Sequence, residues 1–167
     1  MTIAADLLPE FDQEMAGCRR TLERLPRDRF GFQPHPKSFT LGRLANHLAS
    51  VPSWLAQAME STGREFVDPA DAAREPLAAA TPEAVLDLFD QSVRRARAVL
   101  ADATDADLEV PWTGRSHGRV VFTLPRLVVY KQFILNHMLH HRAQLTVYLR
   151  LLDLPVPALY GPSADEG

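Results

Sequence analysis

Two histidines lie four residues apart near the carboxyl end of the chain, in Asn-His-Met-Leu-His-His-Arg-Ala-Gln at 136–144. In a helix, residues with this spacing share one face with Cβ atoms about 5–6 Å apart, so His137 and His141 can bind one metal ion together. At about 100° per residue, Tyr130 and Gln144 fall on the same stripe of an otherwise apolar helix. Buried polar groups are costly unless they are satisfied, and a metal ion would satisfy both imidazoles.

His47 is the best candidate for a third ligand, because it shares the inward face of a predicted helix with Leu44 and Val51. Facing helices of a bundle commonly build metal sites from such side chains. Three histidines leave a coordination position for water or substrate, as in catalytic sites, and imidazole alone does not select one ion. The alternative is a hydrogen-bonded core histidine, which is the commoner role of a single inward His.

The remaining polar residues near this stripe are candidates for supporting the ligands. Tyr130, His140 and Gln144 are expected to lie around the ion without binding it. His35 and His117 have proline or glycine neighbours and are predicted to be loop residues. No general acid or base can be assigned, so the catalytic residues stay unknown.

One familiar hydrolase motif is absent from the helix that carries the histidines. Met138 stands where a zinc protease helix would carry its glutamate base, so peptidase activity is not expected.

Apolar residues recur with helical period in four segments. These helices are predicted from about Leu8 to Leu25, from Ser38 or Thr40 to Ala58 with a bend at Pro52, from Pro82 to about Asp102, and from a cap at Thr123 to Leu152. Segment 63–80 is predicted to be a loop. Segment 105–122 is either a short hairpin around Gly114 and Gly118 or an irregular connection. The fold is therefore predicted to be all-α, a four-helix bundle in a single domain over 1–167, with a long irregular connection before the last helix.

Composition limits the partners of the protein. The net charge of -3 over 167 residues does not indicate the excess of positive charge that binds nucleic acid. No apolar stretch of membrane length and no signal peptide are visible, and the single cysteine, Cys18, suits a reducing cytoplasm. The last helix has more apolar surface than one bundle easily covers, which predicts a homodimer that buries part of this helix or the Trp112 region.

The segments at 34–47 and 137–144 resemble the DinB family of bacterial metal-binding proteins, and the tail from Tyr160 to Glu166 is similar to that of family members. The resemblance implies an up-down-down-up bundle, frequent homodimers, and nickel, zinc, manganese or iron on three histidines. Relatives include transferases that use low-molecular-weight bacterial thiols and a mycothiol-dependent isomerase. Ala143 departs from the family pattern, which has glycine there, and its methyl group is expected to affect packing more than ligation.

Two functional classes remain open on these residues. In the first, the protein is an enzyme in which a metal-bound thiolate attacks a small electrophile. In the second, it is a non-catalytic metal-binding or stress-response protein whose ion is structural. An exchangeable fourth position on the ion in an accessible pocket would favour the enzyme.

Overall fold

The computed structural model of the protein describes residues 2–67 and 76–166. Within them the chain forms seven helices, one π-helical segment and three strands. In chain order these are α1 (Ile3–Leu22), α2 (Leu41–Ser50), α3 (Ser53–Glu60), β1 (Gly63–Glu65), α4 (Pro82–Ala101), α5 (Asp105–Glu109), β2 (Pro111–Ser116), β3 (Arg119–Pro125), α6 (Arg126–Val129), the π segment (Tyr130–Leu135) and α7 (Asn136–Leu151). None of the described helices has both the length and the apolar character needed to cross a membrane.

Threonine side chains begin the helices that frame the molecule. Thr2, Thr40 and Thr81 accept hydrogen bonds from backbone N–H groups in the first turns of α1, α2 and α4, which would otherwise lack partners. Helix α1 packs on α4 and α7, and α2 packs on the same two helices. The core lies between them and includes the fully buried Phe11 and Phe89. The protein is therefore mostly helical, as its sequence predicts.

The second predicted helix is divided at Val51–Pro52 into α2 and α3. Proline has no N–H to donate and its ring crowds the preceding turn, so the helix is interrupted where a bend was expected. The Val51 N–H still donates to the His47 carbonyl, at 3.1 Å, and the Ser50 hydroxyl donates to the same oxygen, at 2.9 Å. The His47 carbonyl oxygen therefore keeps its hydrogen bonds where the helix is interrupted.

A small sheet corrects the purely helical prediction. Strands β2 and β3 form an antiparallel hairpin, and β1 joins the other edge of β2 in parallel, with Gly63 opposite Thr113. The hairpin alternative for 105–122 is therefore correct and the irregular connection is wrong, because α5 and two strands occupy this segment. Residues 63–65 of the predicted loop form β1. The part of that loop at 68–75 lies outside the described residues.

The start of the last helix also differs from the prediction. Thr123 lies within β3 and caps nothing, because its hydroxyl pairs across the hairpin with that of Thr113, at 3.0 Å. Helical structure begins at Arg126, and the chain then widens into the π segment, where the Asn136 N–H donates to the Lys131 carbonyl five residues back. A π turn takes more residues than an α turn, so side chains before and after it do not keep α-helical alignment.

Candidate metal centre

Three histidines from two helices meet at the packing surface between α2 and α7. One ring nitrogen from each of His47, His137 and His141 lies within 4.8 Å of the other two, and the Nε2 atoms of His47 and His137 are 2.7 Å apart. The ring centroids are separated by 4.5 to 5.0 Å. The structure therefore brings together the three side chains that the sequence singles out.

The cluster consists of neutral nitrogen donors. Burial, reinforced by the neighbouring imidazoles, lowers the pKa of His47 and of His137 to about 4. Burial also lowers the pKa of His141. Among the described residues no carboxylate or thiol joins the group. Neutral imidazoles present the lone pairs that a metal needs, so this donor set is compatible with binding a divalent cation.

Gln144 sets the protonation of His141. The Gln144 Oε1 atom lies 2.7 Å from His141 Nδ1, and an amide oxygen can only accept, so the Nδ1 atom carries the proton. The Nε2 atom of the neutral ring is then left with its lone pair. Orientation of a ligand histidine by a hydrogen bond to its other nitrogen is the usual arrangement in metal sites.

Two aromatic rings flank the cluster and fix the orientation of its imidazoles. The Phe39 ring lies 5.9 Å from His47 and 6.4 Å from His141, and the backbone carbonyl of Phe39 accepts a hydrogen bond from the Tyr148 hydroxyl at 3.0 Å. On the other side the Trp54 ring lies 5.5 Å from His47 and 5.4 Å from His137. The histidines are thus enclosed by side chains from the segment before α2 and from α3.

Helix α2 is anchored next to His47 by the side chain of Asn46. The Asn46 amide nitrogen donates to the carbonyls of Gly42 and Ala79, and its oxygen accepts from the Ala79 N–H at 2.8 Å. Asn46 is buried, so these bonds are sheltered from competing water. They hold the segment before α4 against the turn that presents His47.

The predicted supporting residues are placed in three different ways. Gln144 touches His141, whereas His140 is exposed with its ring 5.0 Å from that of His141. Tyr130 is fully buried, and its hydroxyl has no hydrogen-bond partner among the described residues. Burial and then the carboxylates of α1, with Glu10 first, raise the pKa of this hydroxyl. Tyr130 begins the π segment that precedes His137, and its role in supporting the ligands stays a prediction.

The remaining two histidines are away from the cluster. His35 is exposed and its Nδ1 accepts from the Lys37 N–H at 3.2 Å. His117 is exposed in the turn between β2 and β3, with a positive φ of 51°. Both are outside helices and strands, as the sequence predicts.

Comparison with known proteins shows which family the chain belongs to. A family model described as the DinB superfamily matches residues 10–145. The chain belongs to the DinB superfamily. It is 25% identical over 162 residues to the Bacillus subtilis (strain 168) protein named Uncharacterized protein YrdA, covering 95% of this chain and 89% of that one.

Two crystal structures have the same fold as this DinB-superfamily chain. One is a DinB-like protein from Bacillus cereus ATCC 10987, with a TM-score of 0.71 and 21% identity over 95% of this chain and 98% of the other. The second is the DinB-like protein YjoA from Bacillus subtilis, with a TM-score of 0.69 and 15% identity over 94% and 99% of the two chains. At these identities the likeness concerns the fold alone.

Two clefts reach the histidine cluster in this member of the superfamily. The first, which we call the polar cleft, has a volume of about 250 Å³ and reaches His141; it is lined by Lys37, Ser38, Phe39, Leu44, His141, Gln144 and Tyr148. The second, the aromatic cleft, has a volume of about 410 Å³ and reaches His137; its walls come from α3, the sheet and the π segment. The two clefts share no lining residue, so the cluster can be approached along two separate routes.

The aromatic cleft and a buried ion pair were not predicted from the sequence. Trp112 and Phe122 form part of the cleft wall, and only a correct prediction of the hairpin could have placed them opposite α3. Arg142, which follows His141 directly, is buried and pairs with Glu14 at 2.7 Å. The available signal was an arginine and a glutamate at core positions of two apolar helices, since such charges are rarely buried without partners.

Proposed function

We propose that this chain is a metal-dependent enzyme that transfers a low-molecular-weight thiol to a small electrophile. His47, His137 and His141 would hold one divalent ion, which the family resemblance suggests is nickel, zinc, manganese or iron. The observation that carries the proposal is that the cluster of three neutral imidazoles is reached by two different clefts, one lined by His141 and the other by His137. An ion with only a structural role needs no access for small molecules, whereas a transferase needs room for two.

The polar cleft suits the thiol compound. Lys37 is exposed at this cleft and carries a positive charge that can pair with a carboxylate of such a compound. Gln144 keeps His141 in the tautomer that presents a lone pair toward the cluster. A bound divalent ion supplies positive charge that lowers the pKa of a thiol next to it. The chain's own residues thus bind and orient the thiol and keep the ligand nitrogens unprotonated.

The chemistry that follows is a substitution at carbon. The thiol loses its proton to solvent through the polar cleft, and its sulfur forms a bond to the electrophilic carbon. The bond from that carbon to a halide, or to an epoxide oxygen, breaks and its electron pair leaves on the halide or oxygen. An epoxide oxygen then takes a proton from solvent. No oxidant or reductant is required, and the products are a thioether with a halide ion or a hydroxyl group.

A non-catalytic function is the alternative, and one observation favours it. The three histidines join α2 to α7, so an ion bound there would fasten two helices that are otherwise held by apolar packing. In that case the protein would bind metal as a structural or stress-response component.

The deciding experiment combines metal analysis with turnover. Protein purified without chelator or nickel resin is analysed for metal, then assayed with low-molecular-weight bacterial thiols and a panel of epoxides and chloroaromatics. His137→Ala should abolish both metal binding and turnover, and the matched control His140→Ala should keep most metal affinity, because His140 lies outside the cluster. Turnover that survives removal of the metal would overturn the enzyme proposal. Metal binding without any thiol turnover would support the structural alternative.

We further propose that the helices form one up-down-down-up bundle in a single domain, and that two copies form a homodimer in the cytoplasm. Support for the bundle is the closed ring of contacts in which α1 and α2 each pack on α4 and α7.

Support for the dimer is the exposure of four apolar side chains, each more than half exposed: Val120 and Val121 on β3, and Val147 and Leu151 on α7. The single, fully buried Cys18 suits a reducing compartment. Sedimentation of a monomer at micromolar concentration would contradict the dimer.

A further inference from the structure

The aromatic cleft has a wall of rings contributed by separate parts of the chain. Phe66, Trp112 and Phe122 lie at mutual centroid distances of 5.9 to 6.3 Å, and Phe122 stacks on Phe133 at 4.4 Å with an interplanar angle of 19°. Trp54 completes the ring wall next to the cluster, 5.4 Å from His137. The rings come from β2, β3, α3, the π segment and the residue after β1, so the sheet closes the cleft against the helices.

A glycine makes this close association of rings possible. A Cβ atom at Gly114 would lie 2.7 Å from Phe66 Cε2 and 2.8 Å from Phe122 Cζ, distances that side chains do not tolerate. Gly114 also lies at the irregular register between β2 and β3, where the strand bends. The absence of a side chain at this position therefore lets two rings cover the strand and face the cleft.

The polar groups of the cleft are confined to two places. Among the described residues that line it, only Gln57, Arg64 and His137 are polar. Arg64 donates to Gln57 Oε1 at 2.8 Å and is exposed to solvent, whereas His137 belongs to the histidine cluster. An occupant would meet apolar rings along most of its length and a polar group at the end next to His137.

We propose that the aromatic cleft binds a small molecule with a planar aromatic ring and directs its reactive carbon toward His137. This inference rests on the proposed function, because it assigns the aromatic cleft to the electrophile and leaves the polar cleft to the thiol. The volume of about 410 Å³ falls within the range of about 300–1,000 Å³ typical of small-molecule sites. Aromatic rings gain from offset and edge contacts with other rings beyond the gain from burial alone, so these walls discriminate in favour of an aromatic over a saturated ring of similar size.

The test compares two unreactive probes that differ only in the ring. Binding of 1-phenylethanol and of 1-cyclohexylethanol is measured by ligand-observed NMR, with metal-free and with zinc-loaded protein. We expect the aromatic probe to bind about three- to tenfold more tightly in both forms, because the ring walls do not require the ion. Equal affinities, or tighter binding of the cyclohexyl compound, would overturn the inference.

Variants locate the effect in the cleft. Phe133→Leu should reduce the aromatic preference to within about twofold, because it removes the ring stacked on Phe122. Phe32→Leu is the matched control, because Phe32 packs on Tyr148 outside this cleft and its loss should leave the preference unchanged. Gly114→Ala is a second variant, expected to weaken binding of the aromatic probe by displacing Phe66 and Phe122. An unchanged preference in both cleft variants would place the ring elsewhere and contradict the inference.

Turnover separates this inference from the proposed function. With a thiol and zinc-loaded protein, styrene oxide should react with a higher kcat/KM than cyclohexyloxirane, and Phe133→Leu should remove most of the difference. Metal-dependent turnover without an aromatic preference would refute the inference and leave the proposed function standing. An aromatic preference in binding without metal-dependent turnover would support the cleft assignment and refute the thiol transferase.

Discussion

Two polar side chains on consecutive residues of α7, the half-buried His141 and the buried Arg142, have opposite kinds of neighbours. Arg142 pairs with Glu14 at 2.7 Å, and the Tyr160 hydroxyl donates to the same carboxylate oxygen at 2.7 Å and accepts from the guanidinium. His141 belongs to a cluster of like groups without an opposite charge among the described residues. The arginine charge is neutralised by the chain itself, whereas the neutral histidines bring together nitrogen lone pairs that a bound cation would use.

The difference shows how burial alone can mislead a search for function. Both regions contain at least half-buried ionisable side chains with shifted pKa values, but Arg142 meets its countercharge. Gly17 gives Arg142 room, because a Cβ there would lie 2.7 Å from the Arg142 Nη1 atom. Such a group has a packing role. A cluster of neutral donors that open onto clefts is the arrangement that binding sites require.

The largest effect is expected in the arginine region. Glu14→Ala leaves the Arg142 charge buried without its partner, so the free energy of unfolding should fall by about 3–5 kcal/mol. Glu10→Ala on the same helix is the control, because Glu10 is exposed, and it should change stability by less than about 0.5 kcal/mol. Urea unfolding of both variants measures the difference. Equal stabilities would mean that the buried pair contributes nothing and that the contrast between the regions is wrong.

Metal should stabilise the protein through the histidine region alone. At a zinc concentration 100 times the dissociation constant, the free energy of unfolding should rise by about 2.7 kcal/mol. His137→Ala should lose this increase, whereas Glu10→Ala should keep it. Thermal unfolding with and without zinc provides the measurement, and stabilisation of the His137 variant equal to that of the wild type would locate the ion elsewhere.

A Gln144 variant tests how much the orientation of His141 contributes to zinc affinity. Gln144→Ala removes the acceptor of the His141 Nδ1 proton, so zinc affinity should fall by about tenfold. Asn136→Ala, also an exposed amide on α7, is the control and should bind zinc as the wild type does. Competition titration with a chromophoric chelator measures both constants. A Gln144 variant with wild-type affinity would show that the hydrogen bond does not orient the ligand.

The last prediction concerns the effect of pH on the metal-free protein. The pKa values of His47 and His137 are about 4 in the folded chain against an ordinary value of 6.5, so the unfolded chain binds more protons between these values. The contribution of these two histidines to the free energy of unfolding is fully present above about pH 6.5, and it is lost as the pH falls toward 4. Comparison of unfolding at pH 7 and pH 5 should therefore show a smaller loss for His137→Asn than for the wild type. An equal loss in the two proteins would mean that His137 does not contribute.

The predictable part of the site depends on local spacing. His137 and His141 are four positions apart in one uninterrupted α-helix, α7, so a helical wheel places them correctly. His47 was predicted from its apolar neighbours on α2, which are buried as expected. These three side chains meet because each helix follows its apolar pattern.

The parts that escaped prediction depend on pairing between distant segments. Strand β1 contains only three residues and pairs with β2 about fifty positions later, so no local sequence pattern predicts it. The pairing of Arg142 with Glu14 joins residues 128 positions apart. In each case a tertiary contact decides, and the sequence contains only one half of it at a time.

The position of Trp54 has a practical consequence for following the site. The chain has two tryptophans, and the Trp54 indole lies 5.5 Å from the His47 ring and 5.4 Å from the His137 ring, whereas Trp112 packs on Phe66 and Phe122. The intrinsic fluorescence of Trp54 is therefore a reporter of what the histidines bind, and a paramagnetic ion at that distance would quench its emission. In a Trp112→Phe protein Trp54 is the single tryptophan, so its emission, excited selectively over that of the tyrosines, reads the occupancy of the histidine cluster in unlabelled protein.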